Sequence, residues 1–143
     1  MKRGIRNNNP LNIRRSATRW QGAREEQKDK SFVQFKSMAY GYRAAWKVLQ
    51  SYYERFCLQG QTFTVRNIIS RWAPPTENNT DKYITDVCNL SGLTPNTRIG
   101  LSSKNAIKKM VYAMSIIENG NTDATRAAGL PDMDIIEQGY NLL

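Results

Sequence analysis

The chain has 143 residues, a formal charge of +9 at pH 7 and no histidine. That length fits one domain whose core stands without metals or disulfides. The missing histidines remove the commonest imidazole base and metal ligand, and two distant cysteines, Cys57 and Cys88, disfavour a zinc site. Catalysis in such a chain falls to carboxyl groups, with no metal or cofactor.

Positive charge is concentrated early, where Lys2, Arg3, Arg6, Arg14, Arg15, Arg19, Arg24, Lys28 and Lys30 face Glu25, Glu26 and Asp29. Such a field steers polyanions, and nucleic acid, an anionic membrane and the bacterial cell wall all qualify. No charged segment followed by an apolar one marks a signal peptide, and no run reaches membrane-spanning length. The expectation is a protein made in the cytoplasm without an export signal.

In chain order, the first pattern is Asn7-Asn8-Asn9-Pro10-Leu11-Asn12-Ile13-Arg14. Asparagine side chains bond the local backbone and tolerate left-handed conformations, so the run predicts a tight turn. Leu11 and Ile13 at alternate positions predict a short strand over 11–14. Further strands are expected over 20–24 and 32–35, which makes residues 5–36 a small antiparallel β-lobe. Polar amides beside a strand, with the indole of Trp20 close by, suit a sugar-binding cleft.

The rest of the chain, 37–143, reads as helix. Met38, Tyr42, Ala45, Trp46, Leu49, Tyr52 and Phe56 recur at three- and four-residue steps, an amphipathic stripe whose aromatics pack a core. Cys57 follows on that helix as a reduced, buried thiol. A second helix starts at the cap Thr64 and carries Val65, Ile68, Ile69 and Trp72 before Pro74-Pro75 ends it. A third begins within Asn78-Asn79-Thr80-Asp81 and runs through Tyr83, Ile84 and Val87 to Gly92. After a loop over 94–100, a fourth starts at Ser102 or Ser103, buries Ile107, Met110, Met114 and Ile117, and stops at Asn119-Gly120. A short last helix covers about 134–140. The expected fold class is α+β, one domain over 1–143, mostly helical with a small N-terminal β-lobe.

The succession of the Asn7–Arg14 run, Trp20-Gln21-Gly22, Phe32-Val33-Gln34-Phe35 and the helix opening Ser37-Met38-Ala39-Tyr40 resembles bacterial peptidoglycan glucosaminidases of the lysozyme-like superfamily. The string Arg71-Trp72-Ala73-Pro74-Pro75, Glu77-Asn78-Asn79-Thr80 and Tyr83-Ile84 is similar to that of small phage-encoded virion or lysis proteins. Together the resemblance covers about residues 4–92. In the glucosaminidases the catalytic glutamate ends a helix that lies before the asparagine-rich turn, and here six residues precede Asn7. Lys109–Gly120 resembles the helix-to-Glu-to-Gly segment that carries the general acid in lysozyme-like enzymes. The implied arrangement is a circularly permuted lysozyme-like domain with its acid, Glu118, on the last long helix.

Glycoside cleavage needs a protonated carboxyl group, and often a second carboxylate to activate water or attack. Glu118 lies four residues after Met114 and seven after Val111, on a partly apolar face at the carboxyl end of its helix. Desolvation and the helix dipole both favour the neutral acid there; an ordinary solvent-facing glutamate at a frayed helix end is the plain alternative. For the second carboxylate, Glu26 (or Glu25) sits about where a β-lobe carboxylate falls in the glucosaminidases, though it also suits an exposed hairpin. Glu77, just before a helix N-terminus, is the other candidate or a simple cap. Failing both, Glu118 acts alone as in lytic transglycosylases. Trp20, Trp72 and Tyr83 are expected to stack on sugar faces, with Asn9 and Asn12 bonding hydroxyl and acetamido groups.

The expected function is therefore cleavage of peptidoglycan glycan strands by a monomer that reaches the cell wall after lysis, in a virion or by dedicated export. Two other readings remain at this point. One is a non-catalytic phage structural or cell-wall-binding protein on the same fold. The other is a basic nucleic-acid binder, weakened by the two prolines in 73–78 and by Asp81 and Asp86 on the would-be recognition helix.

Overall fold

The computed structural model describes residues 2–100 and 103–143. Its helices are α1 (Arg3–Asn7), α2 (Met38–Leu58), α3 (Val65–Trp72), α4 (Thr80–Ser91), α5 (Lys104–Asn119), α6 (Asp123–Ala127) and α7 (Met133–Asn141). Side-chain caps set several starts. The Thr64 hydroxyl accepts the Asn67 N–H at 3.2 Å, and the Asn79 amide oxygen accepts the Lys82 N–H at 3.1 Å. Each bond satisfies an amide that the first helical turn leaves without a partner. Gly92 ends α4 in the left-handed region, at φ 76°. Ser103 precedes α5, while the alternative start, Ser102, lies outside the described residues.

Helix α2 is the central element, and its expected stripe is its buried face. Tyr42, Ala45, Trp46 and Leu49 are each at most 1% exposed. Helix α2 packs chiefly against α7, while α4 packs on α5. The Trp46 indole N–H donates to Ile136 O at 3.0 Å, and its ring meets Tyr140 edge to face at 5.0 Å. Close approach of the two helices requires Gly139. A Cβ there would stand 2.8 Å from both the Arg43 nitrogen and the Tyr42 Cβ.

The expected β-lobe is absent, and the chain is mostly α rather than α+β. Where three paired strands were expected, the described residues hold only isolated bridges, Arg14 to Phe32 and Ala23 to Phe35, and no sheet. The N-terminal end of that region is helical instead, as α1. Backbone bonds do cross the region, from the Arg15 N–H to Ser31 O, the Val33 N–H to Ile13 O and the Arg24 N–H to Gln34 O, but polar side chains take up further backbone groups between them. Asn9 donates to Ile13 O and Val33 O and accepts from the Ile13 N–H. The Gln27 side chain donates to Gln34 O and accepts the Gln34 N–H, the Gln34 side chain accepts the Lys28 N–H, and Asp29 accepts the Ser31 and Phe32 N–H groups. A backbone held by amide and carboxylate side chains does not propagate a ladder. The alternation of Leu11, Ile13, Val33 and Phe35 still records burial, since each is at most 7% exposed.

Asp29 is the knot of this segment. Its side chain is 1% exposed and bonds Arg3, Arg6 and Asn7. The Arg3 guanidinium, then Asn7 and the Phe32 and Ser31 amides, hold its carboxyl well below the usual carboxylate range. Cys57, expected to be buried, faces solvent in the last turn of α2. Among the described residues no helix is long and apolar enough to cross a membrane.

Candidate active site

The carboxyl end of α5 meets the segment after α1. Asn119 donates to Pro10 O at 2.7 Å and to Ser115 O at 2.9 Å, pinning the Asn-rich turn to the helix end. Gly4 permits that contact, because a Cβ there would collide with the Asn119 amide. The preceding residue, Glu118, is thereby fixed beside Asn12, whose backbone is left-handed at φ 52°.

Glu118 opens into a cleft of about 960 Å³. One wall is the extended segment, with Asn12, Arg14 and Phe32. The middle of α2 contributes Val48 and Tyr52. The turn from α3 into α4 brings Arg71, Trp72, Pro74, Glu77 and Tyr83. The Trp72 indole N–H donates to the Tyr83 hydroxyl at 3.2 Å, and Tyr83 donates to Oε2 of Glu118 at 3.0 Å. The direction of this relay is fixed, because an indole N–H can only donate and leaves the tyrosine proton for the carboxyl group. The other oxygen, Oε1, has only the Asn12 amide at 3.5 Å, the outer limit of a hydrogen bond. A proton carried by Glu118 therefore belongs on Oε1.

Burial raises the Glu118 carboxyl above its ordinary value, and the donors Tyr83, Asn12 and Trp72 pull it part of the way back. Tyr83 is pushed far above the ordinary tyrosine value, by burial first and then by the adjacent Glu118 charge, so it stays a protonated donor. Oδ1 of Asn12 is buried and accepts no hydrogen bond from the described protein groups.

Of the residues singled out in the sequence, Glu118, Glu77, Asn12, Trp72 and Tyr83 come together in this cleft. Glu77 is exposed there. Glu26 and Glu25 are exposed on the loop before Asp29 and do not line the cleft. Nor do Asn9 and Trp20. The Asn9 amide is fully buried and spent on backbone groups. Trp20 packs edge-on against Phe35 at 6.5 Å, and its buried indole N–H finds no partner among the described residues. Trp72 and Tyr83 direct their polar ends at each other and at Glu118, which makes them supports of the carboxyl group as well as cleft wall. Tyr52, Arg14 and Arg71 were not singled out. Tyr52 was hidden in the α2 stripe, where periodicity marks every apolar position as core. The arginines were two among many.

Fold and cleft together define a small, mostly helical protein with a half-buried carboxyl group presented in an open groove. No family model matches the chain. Over 126 residues it is 36% identical to Protein P5 of Pseudoalteromonas phage PM2, an alignment covering 86% of this chain and 74% of that protein. The chain belongs to the family of that phage protein, which fits a phage-encoded origin.

Proposed function

We propose that the chain cleaves the glycan strands of bacterial peptidoglycan, with Glu118 as general acid. The observation that carries this reading is the state of one side chain. Glu118 is half-buried in an open cleft, its carboxyl raised by desolvation, one oxygen held by Tyr83 and the other only by a long contact to the Asn12 amide. A general acid needs a group that keeps its proton toward neutral pH and presents it to the leaving oxygen. The resemblance of residues 109–120 to the acid-bearing helix of lysozyme-like enzymes supports the same role.

In the reaction, the proton on Oε1 passes to the glycosidic oxygen as the bond to the anomeric carbon breaks, and Glu118 is left as the carboxylate. Tyr83 and Asn12 then stabilise that anion. The anomeric carbon is captured either by a water from which Glu77, in the same cleft, takes a proton, or by a hydroxyl of the sugar itself, whose proton returns to the Glu118 carboxylate. The site of action on this proposal is the cell wall, reached after lysis, from a virion or by dedicated export. Digestion of purified peptidoglycan, with the soluble products weighed, is the test. Fragments with cut glycan strands support the proposal, and their end groups separate hydrolysis from ring closure. Binding to the insoluble wall without any release overturns it in favour of a cell-wall-binding protein.

A further inference from the structure

The cleft around Glu118 contains two guanidinium groups that the cleavage chemistry does not use. Arg14 comes from the extended segment and Arg71 from the last turn of α3. Each lies over an aromatic ring that also lines the cleft: Arg14 over Phe32 at 5.3 Å and Arg71 over Tyr52 at 5.9 Å. A cation–π contact of this kind holds a guanidinium near the ring while leaving its N–H groups available to a ligand.

Several other arginines of the chain are committed elsewhere, and what sets Arg14 and Arg71 apart is that they line the cleft. Arg3 and Arg6 pair with Asp29, Arg126 pairs with Asp123, and Arg15, Arg24 and Arg43 donate to backbone carbonyls. Among the described residues Arg14 and Arg71 have no acidic partner, although Glu77 and Glu118 line the same cleft. A neutral sugar chain has no use for two unpaired forks. Carboxylates match them, because a planar fork binds two carboxylate oxygens at once.

We propose that Arg14 and Arg71 bind carboxylate groups carried on the glycan, so that the cleft selects acidic, peptide-bearing strands over neutral amino-sugar polymers. The inference rests on the glycan reading of this cleft and adds its specificity. Both arginines are exposed, so their replacement leaves the core intact.

The test is equilibrium binding, which needs no turnover. Three probes are titrated into the wild type: a soluble disaccharide-peptide fragment of peptidoglycan, the same fragment with its carboxylates amidated, and a neutral N-acetylglucosamine tetramer. The acidic fragment should bind about tenfold tighter or better than either neutral probe. That preference should shrink in Arg14→Gln and in Arg71→Gln, and disappear in the double variant. Arg71→Lys, which keeps the charge without the fork, should recover part of it. Equal affinity for the three probes, or a preference unchanged in the double variant, overturns the arginine assignment and leaves the glycan reading standing. No binding of any probe overturns both.

Discussion

Oε2 of Glu118 accepts the Tyr83 hydroxyl, and that bond opposes the effect of burial on the same carboxyl group. Removing it with Tyr83→Phe leaves desolvation less opposed, so the Glu118 carboxyl should hold its proton to higher pH. The alkaline limb of the cleavage rate should then move upward, and an NMR titration of the Glu118 carboxyl carbon should move with it. A limb that stays put or moves downward contradicts the relay. Linkage gives a second consequence. Because the folded protein holds this proton above the ordinary value of 4.5, the contribution of Glu118 to stability is fully present below that value. It is lost as pH rises through the folded value. Glu118→Gln should therefore melt close to the wild type in mild acid and increasingly above it toward neutral pH. A thermal melting series across pH reads this directly, and a constant difference argues against a buried acid.

At the scale of elements, α2 and α7 are locked through Trp46, whose indole is hydrogen-bonded to Ile136 and packed on Tyr140. Trp46→Ala should cost about 3–5 kcal/mol in denaturant unfolding, the usual range for truncating a fully buried large aromatic. A loss well under that would mean α7 is not part of the cooperative core. These elements were legible beforehand because burial and helical period coincide in them. Met38 to Phe56 repeats at the helical step, and Thr64, Asn79 and Gly92 punctuate α3 and α4 where their chemistry acts. Residues 8–36 were misread because the alternation of Leu11, Ile13, Val33 and Phe35 reports burial, while their pairing stops at isolated bridges. Several of the carbonyl and amide groups there are met by the side chains of Asn9, Gln27, Asp29 and Gln34, which composition marks only as polar. Glu118 was legible for a local reason: its position after Met114 and Val111 set both its burial and its helix end. The Trp72–Tyr83 relay joins three helices and has no signature at short range.

Across the whole molecule, one buried anion ties down part of the N-terminal positive charge. Asp29 gathers Arg3, Arg6 and Asn7 and fixes the N-terminal segment that carries Asn12 and Arg14 into the cleft. Its sign is opposite to that of Glu118. The folded carboxyl lies far below its ordinary value of 3.8, so its contribution is present above that value and is lost as pH falls. Asp29→Asn should lower the melting temperature at neutral pH, with the gap to the wild type closing in strong acid. A gap that widens in acid would contradict the arrangement.

The central claim, that Glu118 delivers the proton in glycan cleavage, is tested most directly by soluble fragment release from purified peptidoglycan by wild type and Glu118→Gln, with folding of the variant confirmed by its melting curve. Loss of a general acid predicts release falling by roughly two orders of magnitude or more while binding to the wall persists. Equal release from the two proteins would remove Glu118 from the chemistry.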